Sequence, residues 1–413
     1  MIPPLPPDDD RLRAFRHALP AVEAGVYLNA GTAGPLPSEV AAAMADLAAW
    51  ELGTGRAHPA FFELVAQRLD EARAGLASVL TADVDDVAVT TSTSHGMSLA
   101  TWAARVGPGD RIVTTTLEHA GALGPVYALR DRGVGAVFAE VGDGSDDELT
   151  LAALAEAIDD RTRVVSVSHV AWSTGAVRPV ARIAELAHAR GALLVVDGAQ
   201  AAGAIPLDVP SLGADFYAVP GQKWLLGPEG VAGLWVSPDR RVDLLPAFGG
   251  WSSYERLDAR GSADPWPTAR RYDAANWYKP ALVGLARAVG WLAMYVGWEW
   301  IHGRALPLAH GVAERLAAIP GVELLTPRTR MATLVTFRVA GWTAEEVREE
   351  LAARSFVVSR TVPSLDAVRF SVGAWNSVDE LERTLRSVEL IAAHTPGTIP
   401  PRRGLEIVDH RDP

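Results

Sequence analysis

Cysteine is absent from these 413 residues, and lysine is almost absent. Without cysteine the chain has no disulfide, no thiolate ligand for a metal and no cysteine nucleophile. Of its 38 basic residues only Lys223 and Lys279 are lysines, so 36 are arginines. Arginine is the permanently charged partner for ion pairs, whereas a lysine amine with a lowered pKa can form a Schiff base with an aldehyde. A lysine retained against this bias is therefore a candidate for chemistry.

Long apolar runs and excess positive charge are also missing. The longest apolar stretch, residues 281–298, is interrupted by Arg287, which indicates a buried helix and not a membrane span. Residues 1–20 are rich in proline, aspartate and arginine and have no apolar core of the kind that a secretory signal requires. A formal charge of −12 argues against nucleic acid and anionic membranes as partners. We therefore expect a cytoplasmic protein, and no metal site is predicted.

Strand and helix patterns alternate between about residues 68 and 238, which predicts a mostly parallel sheet with helices on both faces. The predicted strands are 87–91, 111–116, 135–141, 163–170, 192–197, 214–219 and 230–236, and the predicted helices are 94–104, 119–132, 149–159 and 179–190. After a helix at 280–300, the helices 308–318, 343–354 and 377–393 alternate with strands 333–339 and 367–371. This second pattern predicts a smaller α+β domain.

The pattern divides the chain into four parts: an N-terminal segment at 1–60, a large domain at 61–305, a small domain at 306–395 and a poorly ordered tail at 396–413. Residues 249–275 are rich in Gly, Ser, Arg and Trp, which indicates an irregular loop at a functional site. The predicted fold class is therefore α/β, with a large flanked sheet and a small C-terminal domain.

Lys223 follows the apolar run 214–219 and lies 26 residues after Asp197, which ends the run 193–197. In open parallel sheets, ligands bind beyond the carboxyl ends of the strands. A strand-end carboxylate followed by a lysine in a turn is what a pyridoxal phosphate enzyme needs, because the carboxylate keeps the pyridinium nitrogen protonated. Alternatively, Asp197 is a cap or turn residue and both lysines are ordinary surface residues, an interpretation that suits Lys279 better than Lys223.

Three further groups lie where predicted elements end. Residues 90–96 offer hydroxyls and free amides at a helix N-terminus, which is typical of an anion site and equally of simple N-capping. No P-loop lysine and no G-x-G-x-x-G motif is present, which disfavours nucleotide or NAD binding. His119 can stack on an aromatic cofactor and move protons, although a lone histidine is more often structural. Arg369 suits a substrate carboxylate, or is one of many surface arginines.

Five motifs together resemble the class V aminotransferase family of pyridoxal phosphate enzymes, which includes cysteine desulfurases, isopenicillin N epimerase-like proteins and kynureninases. They are residues 27–32 (YLNAGT), 117–119 (LEH), 168–170 (SHV), 196–200 (VDGAQ) and 222–230 (QKWLLGPEG). The similarity extends from about residue 26 to residue 393. It implies a large cofactor-binding domain with a seven-stranded type of sheet. It also implies a homodimer with shared active sites, in which residues 249–276 reach the partner.

The resemblance also implies roles for individual residues. Lys223 would bond the cofactor, Asp197 would pair with the pyridinium nitrogen, Gln200 would bind the phenolic oxygen and His119 would stack on the ring. Thr93 and Ser94 would hold the phosphate, Arg369 would hold the substrate α-carboxylate, and Asn29, Ala30 and Gly31 would line the entrance, where the N-terminal segment packs with the small domain.

The chain departs from desulfurases at several of these positions. They have a histidine just before the lysine and a serine two residues earlier, where this chain has Gln222 and Pro220. The missing phosphate contact is assigned to Gln222, or to Asn276 from the other subunit. Trp172 stands where the family has a polar residue, so an aromatic ring lies on the substrate side together with Arg360. No cysteine lies between Arg360 and Arg369, which excludes a persulfide on the protein.

These observations predict an enzyme that acts at Cα or Cβ of an amino acid. A site similar to that of a desulfurase, without its sulfur-accepting cysteine, favours β-elimination from an S-substituted cysteine to give a thiol, pyruvate and ammonia. An aminotransferase or an epimerase would use the same core residues. A non-catalytic binding or regulatory protein is disfavoured by the joint presence of Lys223, Asp197, His119 and Arg369, and by the lack of a preceding DNA-binding domain.

Overall fold

A computed structural model describes residue 5 and residues 7–241, 244, 248–274 and 276–402. Among these residues a seven-stranded sheet and a four-stranded sheet are each covered by helices. The predicted α/β class, with a large flanked sheet and a smaller α+β part, is confirmed. Residues 403–413, most of the tail predicted at 396–413, lie outside the described residues, as does Ala275 in the predicted loop.

The large sheet is parallel except for one strand. In spatial order its strands are Val87–Thr90, Ala232–Val236, Phe216–Pro220, Leu193–Asp197, Thr162–Ser168, Arg111–Thr115 and Gly135–Ala139. Only Ala232–Val236 runs antiparallel to its neighbours. Every strand predicted for this sheet is present, and the ends differ by a few residues.

Helices cover both faces of the large sheet, which explains why its strands read as continuous apolar runs. They are Pro59–Leu80, Thr93–Ala103, Ala120–Arg130, Asp147–Ala157, Val180–His188 and Lys279–Trp291. In the strand Thr162–Ser168, Val165 and Val167 pack in one apolar core, whereas Val164 packs in a second core on the other face. Side chains that alternate along one strand therefore contribute to the apolar cores on both faces of the sheet.

The small sheet is antiparallel, with the order Val322–Leu324, Leu334–Val339, Ala367–Ser371 and Arg360–Val362. Helices Trp298–Ala318, Ala344–Ser355 and Val378–Ala392 pack with it. The predicted break between residues 300 and 308 is wrong, because the helix Trp298–Ala318 continues through Pro307. The helical region is instead interrupted at Gly297, which directly follows the π-helical turn Leu292–Val296 and has a φ of 86°.

The N-terminal segment contacts elements near both sheets. The strand Val26–Tyr27 pairs with Val357–Val358, whereas the helix Ser38–Thr54 packs against Lys279–Trp291. The helix Asp10–His17 precedes them. No single helix in the described part is long and apolar enough to cross a membrane. Lys279–Val296 and Trp298–Ala318 meet that criterion only as a pair, bent by 86°.

Candidate active site

The carboxyl ends of the parallel strands bring Asp197 and the turn of Lys223 to one edge of the large sheet. Asp197 is the last residue of its strand and is in register with Ser168 and Ala218 on the two neighbouring strands. Lys223 follows the strand Phe216–Pro220 in the turn at that edge. The sheet topology therefore places the predicted carboxylate and the predicted amine together, as the spacing in the sequence indicated.

Burial changes the protonation of both groups. Desolvation lowers the pKa of Lys223 from 10.5 to about 8, and nearby Arg369 and Arg360 act in the same direction, while Asp197 opposes them. Desolvation raises the pKa of Asp197 to about 6, against the effect of Lys223 and of the Ala199 N–H, which donates to Asp197 Oδ1 at 2.8 Å. Roughly a tenth of Lys223 is thus neutral at pH 7, and it is the neutral form that acts as a nucleophilic amine.

Two glycines permit close packing around this pair. A Cβ on Gly34 would lie 2.2 Å from the backbone oxygen of Lys223, and the Gly34 N–H donates to the Gln222 backbone oxygen at 2.7 Å. A Cβ on Gly198, the residue after Asp197, would lie 2.1 Å from the Tyr217 ring. The N-terminal segment therefore lies directly against the turn that carries the lysine.

His119 is held in one tautomer at the start of the helix Ala120–Arg130. Its Nδ1 accepts the Gly121 N–H at 3.1 Å, so the proton of the neutral ring lies on Nε2. Desolvation, aided by Lys223 and the site arginines, lowers the pKa of His119 to about 4. The ring contacts Trp172 edge to face, with centroids 5.3 Å apart. At neutral pH His119 is therefore an uncharged hydrogen-bond donor.

A candidate anion cradle lies at the start of the helix Thr93–Ala103. Ser92 caps the helix by accepting the His95 N–H, and Thr93 Oγ1 is buried without a partner in the described part of the chain. Ser94 is exposed and lies beside Gly121, where a Cβ would come within 2.5 Å of Ser94 Oγ. Thr93 and Ser94 are thus next to the turn that bears His119, and the free helical amides favour a phosphate there.

The three amide side chains assigned to the cofactor lie in different environments. Gln200 is buried, donates to the Gly31 backbone oxygen at 2.8 Å and accepts the Trp224 Nε1–H at 3.1 Å. Gln222 is half-buried beside Lys223. Asn276 is exposed, and no side-chain hydrogen bond joins it to the other candidates among the described residues. Its contribution to a partner's site remains a prediction.

Two arginines face one tryptophan. Arg369 and Arg360 are directly opposite each other on paired strands, and their guanidinium carbons lie 6.0 and 5.7 Å from the Trp172 ring centroid. Arg369 Nη1 donates to the Trp172 backbone oxygen at 2.7 Å, whereas its Nε and Nη2 are buried without a partner in the described part. Burial and the charge of Arg360 lower the pKa of Arg369 to about 9. The alternative of a surface position for Arg369 is wrong.

The segment Asn29 to Gly31 lies against these arginines. The Gly31 N–H donates to Ser371 Oγ at 3.0 Å, and a Cβ on Gly31 would lie 2.8 Å from Arg369 Nη2. Asn29 Oδ1 accepts the Thr32 hydroxyl at 2.8 Å, and the same hydroxyl accepts from Arg360 at 3.3 Å. Ala30 differs from the expectation, because its methyl is fully buried in an apolar cluster and does not line an opening.

Sequence reasoning missed several residues that support the site. The Tyr217 hydroxyl, next to Gly198, forms a hydrogen bond of 2.8 Å with His169 Nδ1. The Trp224 Nε1–H donates to the Gln200 side-chain oxygen and so orients that amide. Glu118 and Arg178 form a buried pair beside His119. Position in the LEH motif could have drawn attention to Glu118, but nothing in the sequence distinguishes Arg178 from the other arginines.

Comparison with known proteins identifies relatives of this arrangement. The family model for aminotransferase class V matches residues 26–383. A probable cysteine desulfurase of Methanothermobacter thermautotrophicus is 26% identical over 398 residues, which cover 92% of this chain and 98% of the relative. The cystine C-S lyase C-DES, solved with its reaction product cysteine persulfide, has a TM-score of 0.84 at 26% identity over 90% of this chain and 99% of its own.

A mutant of C-DES with glycine covalently linked to its PLP cofactor has a TM-score of 0.83, at 26% identity over 91% of this chain and 98% of that one. The residues present here fit pyridoxal phosphate. A desolvated lysine amine, a buried strand-end carboxylate, the unpartnered hydroxyl of Thr93 and a neutral imidazole lie at one edge of the sheet. They would meet the aldehyde, the ring nitrogen, the phosphate and the ring face of the cofactor, respectively.

Proposed function

This chain belongs to the class V aminotransferase family and uses pyridoxal phosphate, and we propose that it cleaves the Cβ–S bond of an S-substituted cysteine by β-elimination. The observation that carries the proposal is the pair Arg360 and Arg369, which are opposite each other on paired strands and both lie over the Trp172 ring. The lack of a sulfur acceptor on the protein supports it. Elimination releases the sulfur as a small thiol and needs no such acceptor.

The connection between the two arginines supports a leaving group that departs as a small molecule. Arg360–Val362 and Ala367–Ser371 are joined by the 3-10 turn Pro363–Leu365 and by Asp366, whose backbone is left-handed with a φ of 43°. The Asp366 carboxylate accepts the Ala344 N–H at 3.0 Å, which anchors the turn to the small domain. A tight hairpin without cysteine has no nucleophile to offer to a sulfur atom.

The paired arginines favour a substrate with two carboxylates. Neither Arg360 nor Arg369 forms an ion pair with an acidic side chain in the part of the chain that the structure describes. Two adjacent guanidinium groups repel each other unless anions lie between them, and each can bind a carboxylate through two hydrogen bonds. We assign the α-carboxylate to Arg369 and a distal carboxylate to Arg360. Cystine, the substrate named for C-DES, carries both groups.

The chain's own residues account for the steps of elimination. When bound, the cofactor supplies an electron sink for a carbanion at Cα. Lys223, neutral in part because its pKa is about 8, accepts the Cα proton. Asp197 holds a negative charge at the strand end, and the neutral His119 ring carries its proton on Nε2, where it can donate a hydrogen bond. The Cβ–S bond breaks with its electron pair on sulfur, which then takes a proton.

The elimination balances without an oxidant or a reductant. Water converts the remaining three-carbon fragment into pyruvate and ammonia. With cystine, the leaving thiol is cysteine persulfide, because the disulfide bond stays intact and only a carbon–sulfur bond is broken. An aminotransferase or an epimerase would retain the Cβ–S bond, so the fate of that bond separates the candidates.

The test compares cystine with S-methylcysteine, which lacks the distal carboxylate. Wild-type enzyme is expected to form pyruvate and free thiol from cystine. Loss of a charge-assisted bond of 1.5–3 kcal/mol corresponds to a roughly 10- to 100-fold change. Arg360→Met should raise KM for cystine by about that factor and leave kcat/KM for S-methylcysteine within about threefold. Arg328→Met, an exposed arginine paired with Glu314 in the same domain, is the matched control.

Two outcomes would overturn the assignment. Exchange of the α-proton, or amino transfer to a keto acid, without pyruvate and thiol would support the epimerase or the aminotransferase. An equal loss with both substrates in Arg360→Met would show that Arg360 does not bind a distal carboxylate.

A homodimer is part of this proposal. The segment that follows residue 248 is not the irregular loop expected from the sequence, because it contains the antiparallel strands Tyr254–Leu257 and Ala263–Pro265. It exposes large apolar side chains, among them Trp251, which is 69% exposed, and Leu257, which is 53% exposed. A second copy covering this segment would bury them and bring Asn276 to the partner's phosphate cradle. Exposed apolar side chains on one segment are typical of an interaction surface.

A further inference from the structure

A buried ion pair beside the site takes no part in the steps above. The side chains of Glu118 and Arg178 are both 0% exposed, and Arg178 Nη2 is 3.7 Å from Glu118 Oε1. Arg178 Nη2 also donates to Thr115 Oγ1 at 3.1 Å, whereas its Nε and Nη1 are buried without a partner in the described part. Two unpaired donors on a buried cation are costly, and an ion pair of this kind is weak evidence for stability.

Glu118 ties two strand ends to the turn of His119. Its Oε1 accepts the Thr115 hydroxyl at 2.5 Å, and its Oε2 accepts the Ser168 hydroxyl. Thr115 and Ser168 are the last residues of the strands Arg111–Thr115 and Thr162–Ser168. Because His119 directly follows Glu118 and caps the next helix, these hydrogen bonds hold the turn from which the imidazole projects.

The same pair is linked to Asp197 through the backbone. The Arg178 N–H donates to the His169 backbone oxygen at 2.9 Å, and the His169 N–H donates to the Asp197 backbone oxygen at 2.9 Å. Ser168 is in register with Asp197. The charge of Glu118 is also one of the causes that raise the pKa of Asp197, after burial. Arg178 offsets that charge at close range.

We propose that Arg178 is a positioning residue: by holding the Glu118 carboxylate between two strand ends, it fixes the turn that presents His119 and the strand end that presents Asp197. This role goes beyond the proposed elimination, because any reaction of the cofactor would use the same two groups. It also predicts coupling between Arg178 and Glu118 that independent structural residues would not show.

The test measures the His119 ring by NMR in the cofactor-free protein, and kcat and KM in the loaded enzyme. The charged groups that face His119 are Lys223, Arg360 and Arg369, and they remain unchanged in every variant. Arg178→Met should shift the His119 ring signals and lower kcat by on the order of 10- to 100-fold, the size expected for a small misplacement of a catalytic group, with KM within about twofold. Arg178→Lys should recover part of the loss.

A double-mutant cycle tests the coupling. The double variant Arg178→Met/Glu118→Gln should be less impaired than the product of the two single losses, because it leaves no unpaired buried charge. Arg182→Met, an exposed arginine one turn further on that pairs with Glu148, is the matched control and should behave as wild type. Independent effects in the cycle, or unchanged His119 signals in Arg178→Met, would overturn the proposal.

Glu118→Gln keeps the test decisive if Arg178→Met does not fold. It retains the shape of the side chain, so it should fold, shift the His119 signals and lower kcat. If Glu118→Gln matches wild type in both, the proposal fails. The NMR result does not depend on the substrate, so failure of the lyase assignment and failure of this inference are distinguishable.

Discussion

The lowered pKa of Lys223 predicts how the protein captures its cofactor as a function of pH. At pH 7 a pKa of about 8 leaves roughly a tenth of Lys223 as free amine. An amine at the ordinary value of 10.5 would have roughly one part in three thousand. Burial in this site therefore raises the nucleophilic fraction by roughly 300-fold. The neutral form gains as pH rises through about 8 and is almost complete above pH 9.

Stopped-flow absorbance with saturating pyridoxal phosphate and cofactor-free protein measures this directly. The rate of covalent capture should rise with pH, with a midpoint near 8. Asp197→Asn removes the charge that raises the pKa of Lys223, so its midpoint should move to lower pH. Arg360→Met removes a charge that lowers this pKa, so its midpoint should move to higher pH. Opposite shifts of the midpoint in the two variants would show that the charges of Asp197 and Arg360 set the pKa of Lys223.

Lys279 provides the control for this experiment. It is partly buried, its amine lies 6.0 Å from the Trp277 ring centroid, and Lys279→Arg should leave the profile unchanged. Lys223→Ala should lose the visible absorbance band and activity while it stays folded. A midpoint near 10, shifts of the same sign in both charge variants, or borohydride labelling of Lys279 would refute the reasoning.

Two further predictions concern the phosphate cradle and the assembly. Thr93→Val should weaken cofactor binding by about tenfold, because one charge-assisted hydrogen bond is lost. The Tm of the cofactor-free protein should stay unchanged, because Thr93 Oγ1 has no protein partner in the described part. Equal affinity of the variant and the wild type in a fluorescence titration would contradict the cradle. Light scattering should give twice 43.9 kDa at assay concentration, and a fully active monomer would contradict the shared site.

Strand prediction succeeded where local pattern and tertiary environment agree. The run 163–170 is apolar because helices cover both faces of the sheet, and the observed strand Thr162–Ser168 is buried at nearly every position. Helix prediction failed where tertiary packing extends a helix beyond the bounds that the local pattern indicated. The sequence predicted a break between residues 300 and 308, but these residues lie inside the helix Trp298–Ala318, whose apolar residues pack in the core beside the four-stranded sheet. The two-residue strands were too short to produce a pattern.

The sequence by itself determined the fold class, the cofactor and the two groups at the strand ends, Lys223 and Asp197. The reason is that residues at the carboxyl ends of parallel strands meet at one edge whatever the details of packing. Only the tertiary structure decided that Arg369 is buried opposite Arg360, that Ala30 is enclosed, and that Arg178 reaches Glu118 from 60 positions further along the chain. Those relations depend on how distant segments pack, and side-chain burial and unpaired donors arise only from that packing.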